Sequence, residues 1–237
     1  MSQIQALNAD MKAFIKIDTH AMDWQPSPSG TVHRKRLHLY GSKESGQVTS
    51  LVRYEPKSSF PEHGHPEGEE ILVLEGIFSD QAGDWGPGSY LLNPEGFHHA
   101  PFSKDGCVIF VKLRQYAGQH RHHVTLATHE MTWQRIGNAA RETCLLYQEV
   151  GFPETMRLMR LPPNTPNLTI SYPQGAEILV LAGCLEDQHG PHSPGTWLRF
   201  PAGAQQHSGS VSGCRYYLKE GVLPNFRSPD GLVISTP

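Results

Sequence analysis

Apolar and polar side chains alternate over many short segments of this 237-residue chain, and connections rich in proline and glycine separate these segments. Alternation over roughly four to eight residues is typical of half-buried β-strands. The segments with this pattern are 48–54, 71–78, 89–93, 108–113, 156–161, 178–185, 196–200 and 215–219. Only residues 3–15 have a pattern compatible with a short helix. The sequence therefore predicts an all-β protein, a sandwich or jelly roll whose antiparallel sheets close on themselves.

The strand pattern occurs twice. Glu70-Ile71-Leu72-Val73-Leu74 recurs 107 residues later as Glu177-Ile178-Leu179-Val180-Leu181. The same offset relates further pairs of identical residues, among them Arg53 and Arg160, Gly76 and Gly183, Asp80 and Asp187, Gly88 and Gly195, Cys107 and Cys214, and Lys112 and Lys219. Upstream, the pattern Thr-His-x-Met-x-Trp-Gln begins at Thr19 and again at Thr128. We therefore expect a tandem duplication, with one domain over residues 1–117 and a second over 118–237.

Composition agrees with a turn-rich β protein, because the chain holds 23 glycines and 19 prolines while charged residues make up only 18%. A formal net charge of −3 without a basic cluster predicts no nucleic-acid partner and no anionic membrane partner. Neither a signal peptide nor an apolar run of about 20 residues is present, so we expect a cytoplasmic protein without a membrane span. The four cysteines are scattered and contain no C-x-x-C pair, which indicates reduced, buried thiols.

A candidate metal site follows from spacing. His63 and His65 are two residues apart, so on a strand their side chains share one face, and Glu69 has the same parity. A fourth group, His99 or its neighbour His98, follows a Pro-Glu-Gly turn that can return a second strand beside the first. Three imidazoles and one carboxylate suit zinc, iron, manganese, nickel or copper better than calcium or magnesium. The sequence therefore predicts one metal ion inside a β-barrel.

Two motifs in the sequence also resemble those of a known protein family. The run His63-x-His65-x3-Glu69-x6-Gly76, followed by Pro94-x-Gly96-x2-His99, resembles the two signature motifs of the cupin superfamily. The sequence is also similar to the ChrR-like cupins, strongly over residues 45–116 and weakly over 150–220. The similar segments include HGHPEGEEILVLEGIFSD, GDWGPGSYLLNPEG and DGCVIFVKLRQ. The resemblance implies a bicupin, a pair of double-stranded β-helix barrels. It also implies that the ligands are His63, His65, Glu69 and His99, so that His98 faces solvent or hydrogen-bonds a ligand.

The adjacent acid, Glu70, has the opposite parity and is present in both copies as Glu70 and Glu177, so we expect it to have a structural role. The second copy lacks all four ligands, since Ile170, Tyr172, Ala176 and Gln206 stand in their places. We expect the second barrel to bind no metal. It would then be a packing partner, or its interior, lined by Tyr172 and Trp197, would take an apolar molecule.

Three other groups of residues allow two interpretations each. His120, Arg121, His122 and His123 form a dense cluster that suggests a second metal site or, preferably, a solvated linker. Tyr90 and Phe110 would line a substrate cavity or fill the barrel core. Cys107 would be a redox sensor or, as its repeat in the metal-free copy suggests, a buried structural thiol.

The family resemblance leaves two hypotheses for function. ChrR-like cupins are named for the C-terminal domain of a zinc-dependent anti-sigma factor that responds to singlet oxygen and organic hydroperoxides. This resemblance implies a metal-binding bicupin in oxidative-stress sensing or small-molecule handling, with zinc first and iron, manganese or nickel as alternatives. The anti-sigma factor's helical N-terminal zinc motif, H-x3-C-x2-C, does not occur in the sequence, so sigma-factor binding is not predicted.

The alternative is an iron-dependent dioxygenase that cleaves a diketone-like molecule. A six-coordinate ion with four protein ligands keeps two positions open for such a substrate. The sequence assigns no catalytic residue and no organic cofactor, and it leaves open whether the protein is an enzyme. A small-molecule ligand in the first barrel and a homodimer are the partners considered.

Overall fold

The computed structural model describes residues 4–137 and 141–221, together with the backbone of 225–227 and 233–235. Within these ranges the regular structure is almost entirely β. The first fourteen strands are β1 (Gln5–Leu7), β2 (Ile15–Asp18), β3 (Gln25–Pro26), β4 (Val32–Gly41), β5 (Gln47–Tyr54), β6 (Ser58–Ser59), β7 (His63–Gly64), β8 (Glu69–Gly76), β9 (Phe78–Asp80), β10 (Gly83–Trp85), β11 (Ser89–Asn93), β12 (His98–His99), β13 (Phe102–Ser103) and β14 (Cys107–Leu113).

The remaining strands are β15 (Val124–Ala127), β16 (Gln134–Arg135), β17 (Glu142–Gln148), β18 (Thr155–Leu161), β19 (Thr165–Tyr172), β20 (Ala176–Gly183), β21 (Leu185–Asp187), β22 (Gly190–His192), β23 (Thr196–Phe200), β24 (Ala204–Ser210), β25 (Cys214–Glu220), β26 (Asn225–Arg227) and β27 (Val233–Ser235). Two single-turn 3-10 helices occupy Thr19–Ala21 and Thr128–Glu130. In the part of the chain that the structure describes, no helix has the length and apolar character needed to cross a bilayer.

The first of two compact units consists of the described residues of Met1–Ala9, Met22–Glu130 and Asn225–Ser235. Its larger sheet has the strand order β1-β4-β5-β14-β8-β11-β15, with β3 paired to β4. A smaller sheet has the order β10-β9-β13-β6, and β7 pairs with β12. All of these pairs are antiparallel. The unit is a double-layered jelly roll, as the strand pattern predicted.

The second unit repeats this plan with the described residues of Asp10–Ala21 and Met131–Pro224. Its larger sheet has the order β16-β17-β18-β25-β20-β23-β2, and the smaller sheet has the order β19-β24-β21-β22. The central run β4-β5-β14-β8-β11 of the first unit therefore matches β17-β18-β25-β20-β23 of the second. This correspondence confirms the all-β fold and the tandem duplication.

The last strand of each larger sheet is supplied from a distant part of the sequence. Strand β2, which precedes the first barrel, pairs with β23 of the second unit, and β15 pairs with β11 of the first. The Thr19 hydroxyl donates to the Gly195 carbonyl at 2.7 Å, and the Thr128 hydroxyl donates to the Gly88 carbonyl at 2.6 Å. The repeated Thr-His pattern thus marks equivalent docking points. Pairing assigns Asp10–Ala21 to the second unit, which the sequence order alone does not indicate.

Each unit encloses its own apolar core. The core of the first contains Val32, Val52, Tyr54, Ile71, Val73, Phe78, Leu91, Cys107, Ile109 and Val111. The second contains the corresponding set around Ile178, Leu198 and Tyr216. Gly76 and Gly183 are repeated for a steric reason: both have positive φ, and a Cβ there would lie 2.1 Å and 2.0 Å from a backbone carbonyl oxygen of the facing connection.

Two predictions about local structure need correction. Residues 4–15 form no helix; Gln5–Leu7 is a strand that pairs with β4, and β2 begins at Ile15, while residue 3 of the predicted helix lies outside the described residues. Pairing with a neighbouring strand overrides the local pattern in this short segment. Tyr90 and Phe110 are buried, but they project from the face of the larger sheet opposite Ile109 and Val111 and are not among the residues that line the cavity at the predicted ligands. The thiols of Cys107, Cys144 and Cys214 are buried and free, as expected.

Candidate metal centre

Two strand pairs bring the four predicted ligands together. His63 on β7 lies directly opposite His99 on β12. Glu69 begins β8, where it pairs with Asn93 on β11. His65 follows β7 and is held by a backbone hydrogen bond from its amide to the Phe97 carbonyl at 3.1 Å. The residues do not share one strand as predicted, because β7 ends at Gly64 and the chain turns at Glu67 and Gly68, both with positive φ, before β8 begins. Contacts between separate strands and the turn bring them into one cluster.

The donor atoms of this cluster converge. The Nε2 atoms of His65 and His99 are 2.8 Å apart, and Glu69 Oε2 lies 3.4 Å from the first and 3.5 Å from the second. His63 completes the group, since one ligand atom from each of the three histidines lies within 4.8 Å of the others. His65, Glu69 and His99 are buried, whereas His63 is half-buried.

Hydrogen bonds on the far side of two rings fix which nitrogen faces the cluster. His63 Nδ1 lies 2.9 Å from the Pro61 carbonyl oxygen, and His99 Nδ1 lies 3.4 Å from Asp80 Oδ2. Both partners accept, so each Nδ1 carries the proton and each Nε2 offers a lone pair. Burial, followed by the neighbouring histidines, lowers the pKa of His65 to about 3, which keeps this ring neutral at pH 7.

Glu69 is held by Asn93, whose side-chain amide donates to Glu69 Oε2 at 2.9 Å. Burial is the largest influence on Glu69 and raises its pKa, although His99 and the Asn93 hydrogen bond act in the opposite direction. A bound cation at the cluster would favour the ionised carboxylate and offset the cost of burying it.

The cluster fits a transition-metal ion on its own chemistry. Ligand bonds of about 2.0–2.1 Å place neighbouring donor atoms roughly 3 Å apart, which is the separation observed for His65, His99 and Glu69. Three imidazole nitrogens and one carboxylate oxygen, each supported from behind, form a donor set that zinc, iron, manganese and nickel all accept. The site is therefore suited to a metal ion, and its residues alone do not choose among these metals.

A cavity of about 530 Å³ opens onto this cluster, and His63, His65, Glu69 and His99 all line it. Its walls are mostly apolar, formed by Val32, Val52, Phe60, Ile109, Val111 and Leu113. Tyr54, Arg34 and Arg114 also line it, with Glu44. Another depression of about 700 Å³ on the same unit is lined by none of the four predicted ligands. Of these two cavities, only the one at the cluster has metal-binding side chains directed at a common point.

The sequence profile of the ChrR Cupin-like domain matches residues 12–117 and again residues 121–224. The chain belongs to the ChrR cupin-like family. Comparison with curated protein sequences gave no significant match.

Solved structures share the fold of this ChrR cupin-like chain at low sequence identity. A candidate dioxygenase of Nostoc punctiforme is 14% identical with a TM-score of 0.71, over 95% of this chain and 88% of that one. Protein Ylba of E. coli is 16% identical with a TM-score of 0.69, over 89% and 91%. The pirin YhhW of E. coli, solved with nickel(II), is 13% identical with a TM-score of 0.62, over 88% and 98%.

Residues next to the predicted ligands lie where strand parity places them. Glu70 is buried on the opposite face of the larger sheet, where the Tyr116 hydroxyl donates to its carboxylate. His98 is exposed, and its backbone carbonyl accepts a hydrogen bond from the Gln81 side chain at 2.9 Å. The predictions that Glu70 has a structural role and that His98 faces solvent agree with this placement.

In the second barrel of the ChrR cupin-like chain, a hydrogen-bonded network takes the place of the cluster. The Tyr172 hydroxyl donates to Gln206 Oε1, and Gln206 Nε2 donates to Asp187 Oδ2, both at 2.8 Å. His192 Nε2 lies 2.8 Å from Asp187 Oδ1. Tyr172 and Gln206, which stand at the positions of His65 and His99, are thus hydrogen-bonded to each other. Trp197 does not line this interior, because its indole donates to Glu177 at 3.3 Å on the other sheet face. The alternative of an apolar pocket lined by both Tyr172 and Trp197 is therefore wrong.

The cluster at residues 120–123 provides no second metal site within the described parts of the chain, where the one group of three or more metal-binding side chains is that of the first barrel. His120, His122 and His123 are exposed, as expected for a solvated linker. Arg121 is an exception, because it is buried with its guanidinium 5.5 Å from the centre of the Tyr116 ring.

Sequence reasoning did not assign Asp80, Asn93 or Tyr54 to the site. Asp80 supports His99, Asn93 supports Glu69, and Tyr54 lines the cavity. One signal was present, since Asp80 is repeated as Asp187 in the second copy. In both barrels this aspartate contacts the residue at the equivalent position, His99 in the first and Gln206 in the second.

Proposed function

We propose that the first barrel is a mononuclear metal centre held by His63, His65, Glu69 and His99, and that it binds a small organic molecule beside the metal. The observation that supports this proposal is the position of the four donor groups on the wall of a cavity of about 530 Å³. A site that only stabilises the fold is closed by its own ligands. A site that handles small molecules needs adjacent space, and volumes of roughly 300–1,000 Å³ are usual for such pockets.

The residues of the chain have separable tasks in this proposal. The three imidazoles and the carboxylate hold the ion, Asp80 and Asn93 orient His99 and Glu69, and the apolar walls limit access of water. Zinc is the first choice of metal, with iron, manganese or nickel as alternatives. When bound, the ion supplies a Lewis acid of net charge about +1, counting three neutral imidazoles and one carboxylate, which favours an anionic oxygen ligand.

A second candidate is catalysis, as an iron-dependent dioxygenase that cleaves a diketone-like molecule. The space beside the four donors supports it, since such a reaction needs room for an organic substrate and dioxygen together. The likeness to the candidate dioxygenase of Nostoc punctiforme concerns the fold alone. Oxidative-stress sensing, which the ChrR-like sequence suggests, and a cytoplasmic location stay predictions.

Metal analysis of the purified protein tests the proposal. We expect about one transition-metal ion per chain, lost or greatly weakened in Glu69→Gln and retained in the control His98→Ala, which changes an exposed neighbour of a ligand. At a free metal concentration of a hundred times the dissociation constant, binding should stabilise the folded protein by about 2.7 kcal/mol. Absence of metal from the wild type, with unfolding indifferent to added metal, would contradict the proposal.

Oxygen uptake with a panel of β-diketones separates the two candidates. Iron in the purified protein, with uptake that disappears in His63→Ala, supports the dioxygenase. Tightly held zinc without uptake supports binding or sensing instead.

A further inference from the structure

We infer that the ligand of the first barrel is a small keto or hydroxy carboxylic acid. Its ketone or hydroxyl oxygen lies at the metal centre, and its carboxylate lies against Arg114 and Arg34 on the cavity wall, with the Tyr54 hydroxyl as a further donor. The placement of the oxygen at the metal rests on the proposed function, whereas the carboxylate site rests on residues outside the metal cluster.

The charge along the cavity wall is the first reason. Apart from the cluster, the charged side chains that line the cavity are Arg34, Arg114 and Glu44. Glu44 is shared by two arginines, with 2.5 Å from its Oε2 to Arg34 Nη1 and 3.2 Å from its Oε1 to Arg36 Nη2. Arg114 has no acidic partner within the described residues. The wall therefore carries excess positive charge and an arginine available to an anion.

The Tyr54 hydroxyl is the second reason. Tyr54 is buried and lines the cavity, yet no hydrogen-bond partner for its hydroxyl exists in the part of the chain that is described. Burial, followed by Glu69, raises the pKa of Tyr54 well above its usual value, while Arg34 acts in the opposite direction. Because Tyr54 lines the cavity, its hydroxyl can donate a hydrogen bond to a ligand there.

The apolar walls determine the middle of the ligand. Between the polar groups the cavity is lined by aliphatic and aromatic side chains such as Val52, Phe60 and Ile109. An apolar surface gains free energy by covering a short carbon chain rather than a second charged group. The side chains that line the cavity are thus complementary to a molecule with a metal-binding oxygen at one end, a short carbon chain in the middle and a carboxylate at the other end.

The second copy provides an internal comparison. Strand register places Thr143 where the first barrel has Arg34, because each pairs with the equivalent residue of the next strand, Met159 or Val52. The repeat offset places Leu161 at the position of Tyr54 and Gly221 at that of Arg114. The barrel that lacks the four metal-binding residues therefore lacks these three groups as well.

Binding of matched probes to the 237-residue chain in the presence of zinc tests the inference. The probes are 4-oxopentanoate and its methyl ester, measured by isothermal titration calorimetry. We expect the acid to bind about tenfold more tightly than the ester. Arg114→Met should weaken the acid by about tenfold without affecting the ester, and Tyr54→Phe should weaken the acid less. Lys104→Met, which removes an exposed charge of the same barrel outside the cavity, should change neither.

Metal content and thermal unfolding of each variant separate this inference from the metal proposal. Equal binding of acid and ester, binding of neither, or equal behaviour of Arg114→Met and Lys104→Met overturns the carboxylate site, even if the metal is retained. If no variant holds metal but the acid is still preferred in an Arg114-dependent way, the metal proposal fails and the carboxylate site stands. Should Arg114→Met not fold, the acid–ester ratio of the wild type and Tyr54→Phe decide.

Discussion

Asp80→Asn is the most informative single substitution, because its effect can be worked out from the hydrogen bonds of one carboxylate. Asp80 Oδ1 accepts from the Ala82 amide at 2.9 Å and from the Trp85 indole at 3.4 Å, while Oδ2 lies 3.4 Å from His99 Nδ1. An amide can keep the first two bonds only by turning its NH₂ group towards His99. The ring must then accept at Nδ1 and carry its proton on Nε2, the atom needed for the metal.

The expected magnitude is a loss of about tenfold to a hundredfold in metal affinity, or about 1.4 to 2.8 kcal/mol. Turning the introduced amide the other way would keep an acceptor for His99 Nδ1. This orientation is disfavoured, because the NH₂ group would then face the Ala82 amide and the Trp85 indole, which are also donors. The assay is competition for zinc between the metal-free protein and a chromophoric chelator, with thermal unfolding as a check of the fold.

The second barrel supplies the matched control, Asp187→Asn. Asp187 accepts from the Gln206 side chain and from the His189 amide at 2.8 Å and 2.7 Å, and Gln206 can rotate its own amide to suit a neutral partner. We expect this variant to leave metal affinity unchanged. The reasoning is refuted if Asp80→Asn binds zinc as tightly as the wild type, or if Asp187→Asn weakens zinc equally.

Three further predictions concern stability and reactivity. Gly76→Ala should lower the free energy of unfolding, measured in urea, by about 2 kcal/mol or more, because the new Cβ would lie 2.1 Å from a carbonyl oxygen. Gly96→Ala, whose Cβ would meet no atom within 4 Å, should lower it by only about 1 kcal/mol. The reverse order would contradict the steric argument. Iodoacetamide at neutral pH should label the partly exposed Cys184 before Cys107, whose pKa burial raises to about 11, and peptide mapping that finds Cys107 first would contradict this. Tyr172→Phe should cost about 1–3 kcal/mol by removing a buried 2.8 Å hydrogen bond, and an unchanged unfolding midpoint would show that the network contributes little.

Local sequence determined the fold class and the duplication, and it named the residues of the candidate site. Parity within β8 places Glu69 and Glu70 on opposite faces, because side chains of a strand alternate. It does not account for His63 and His65, since β7 ends at Gly64 and a turn precedes β8. The strands at Ser89–Asn93 and Thr196–Phe200 agree in both bounds with the predicted segments. The sequence also showed that the second copy lacks all four ligand residues, since the two copies align without a gap over these positions.

Tertiary structure decided what depends on contacts between distant strands. Pairing of β7 with β12 brought His99 to His63, and the end of strand β9 placed Asp80 behind His99. The cavity, with Tyr54 and Arg114 on its wall, exists because β5 and the end of β14 line the same interior. The assignment of Asp10–Ala21 to the second unit has the same origin. Periodicity within a segment records which face is buried, but it does not record against which partner, and these features follow from the choice of partner.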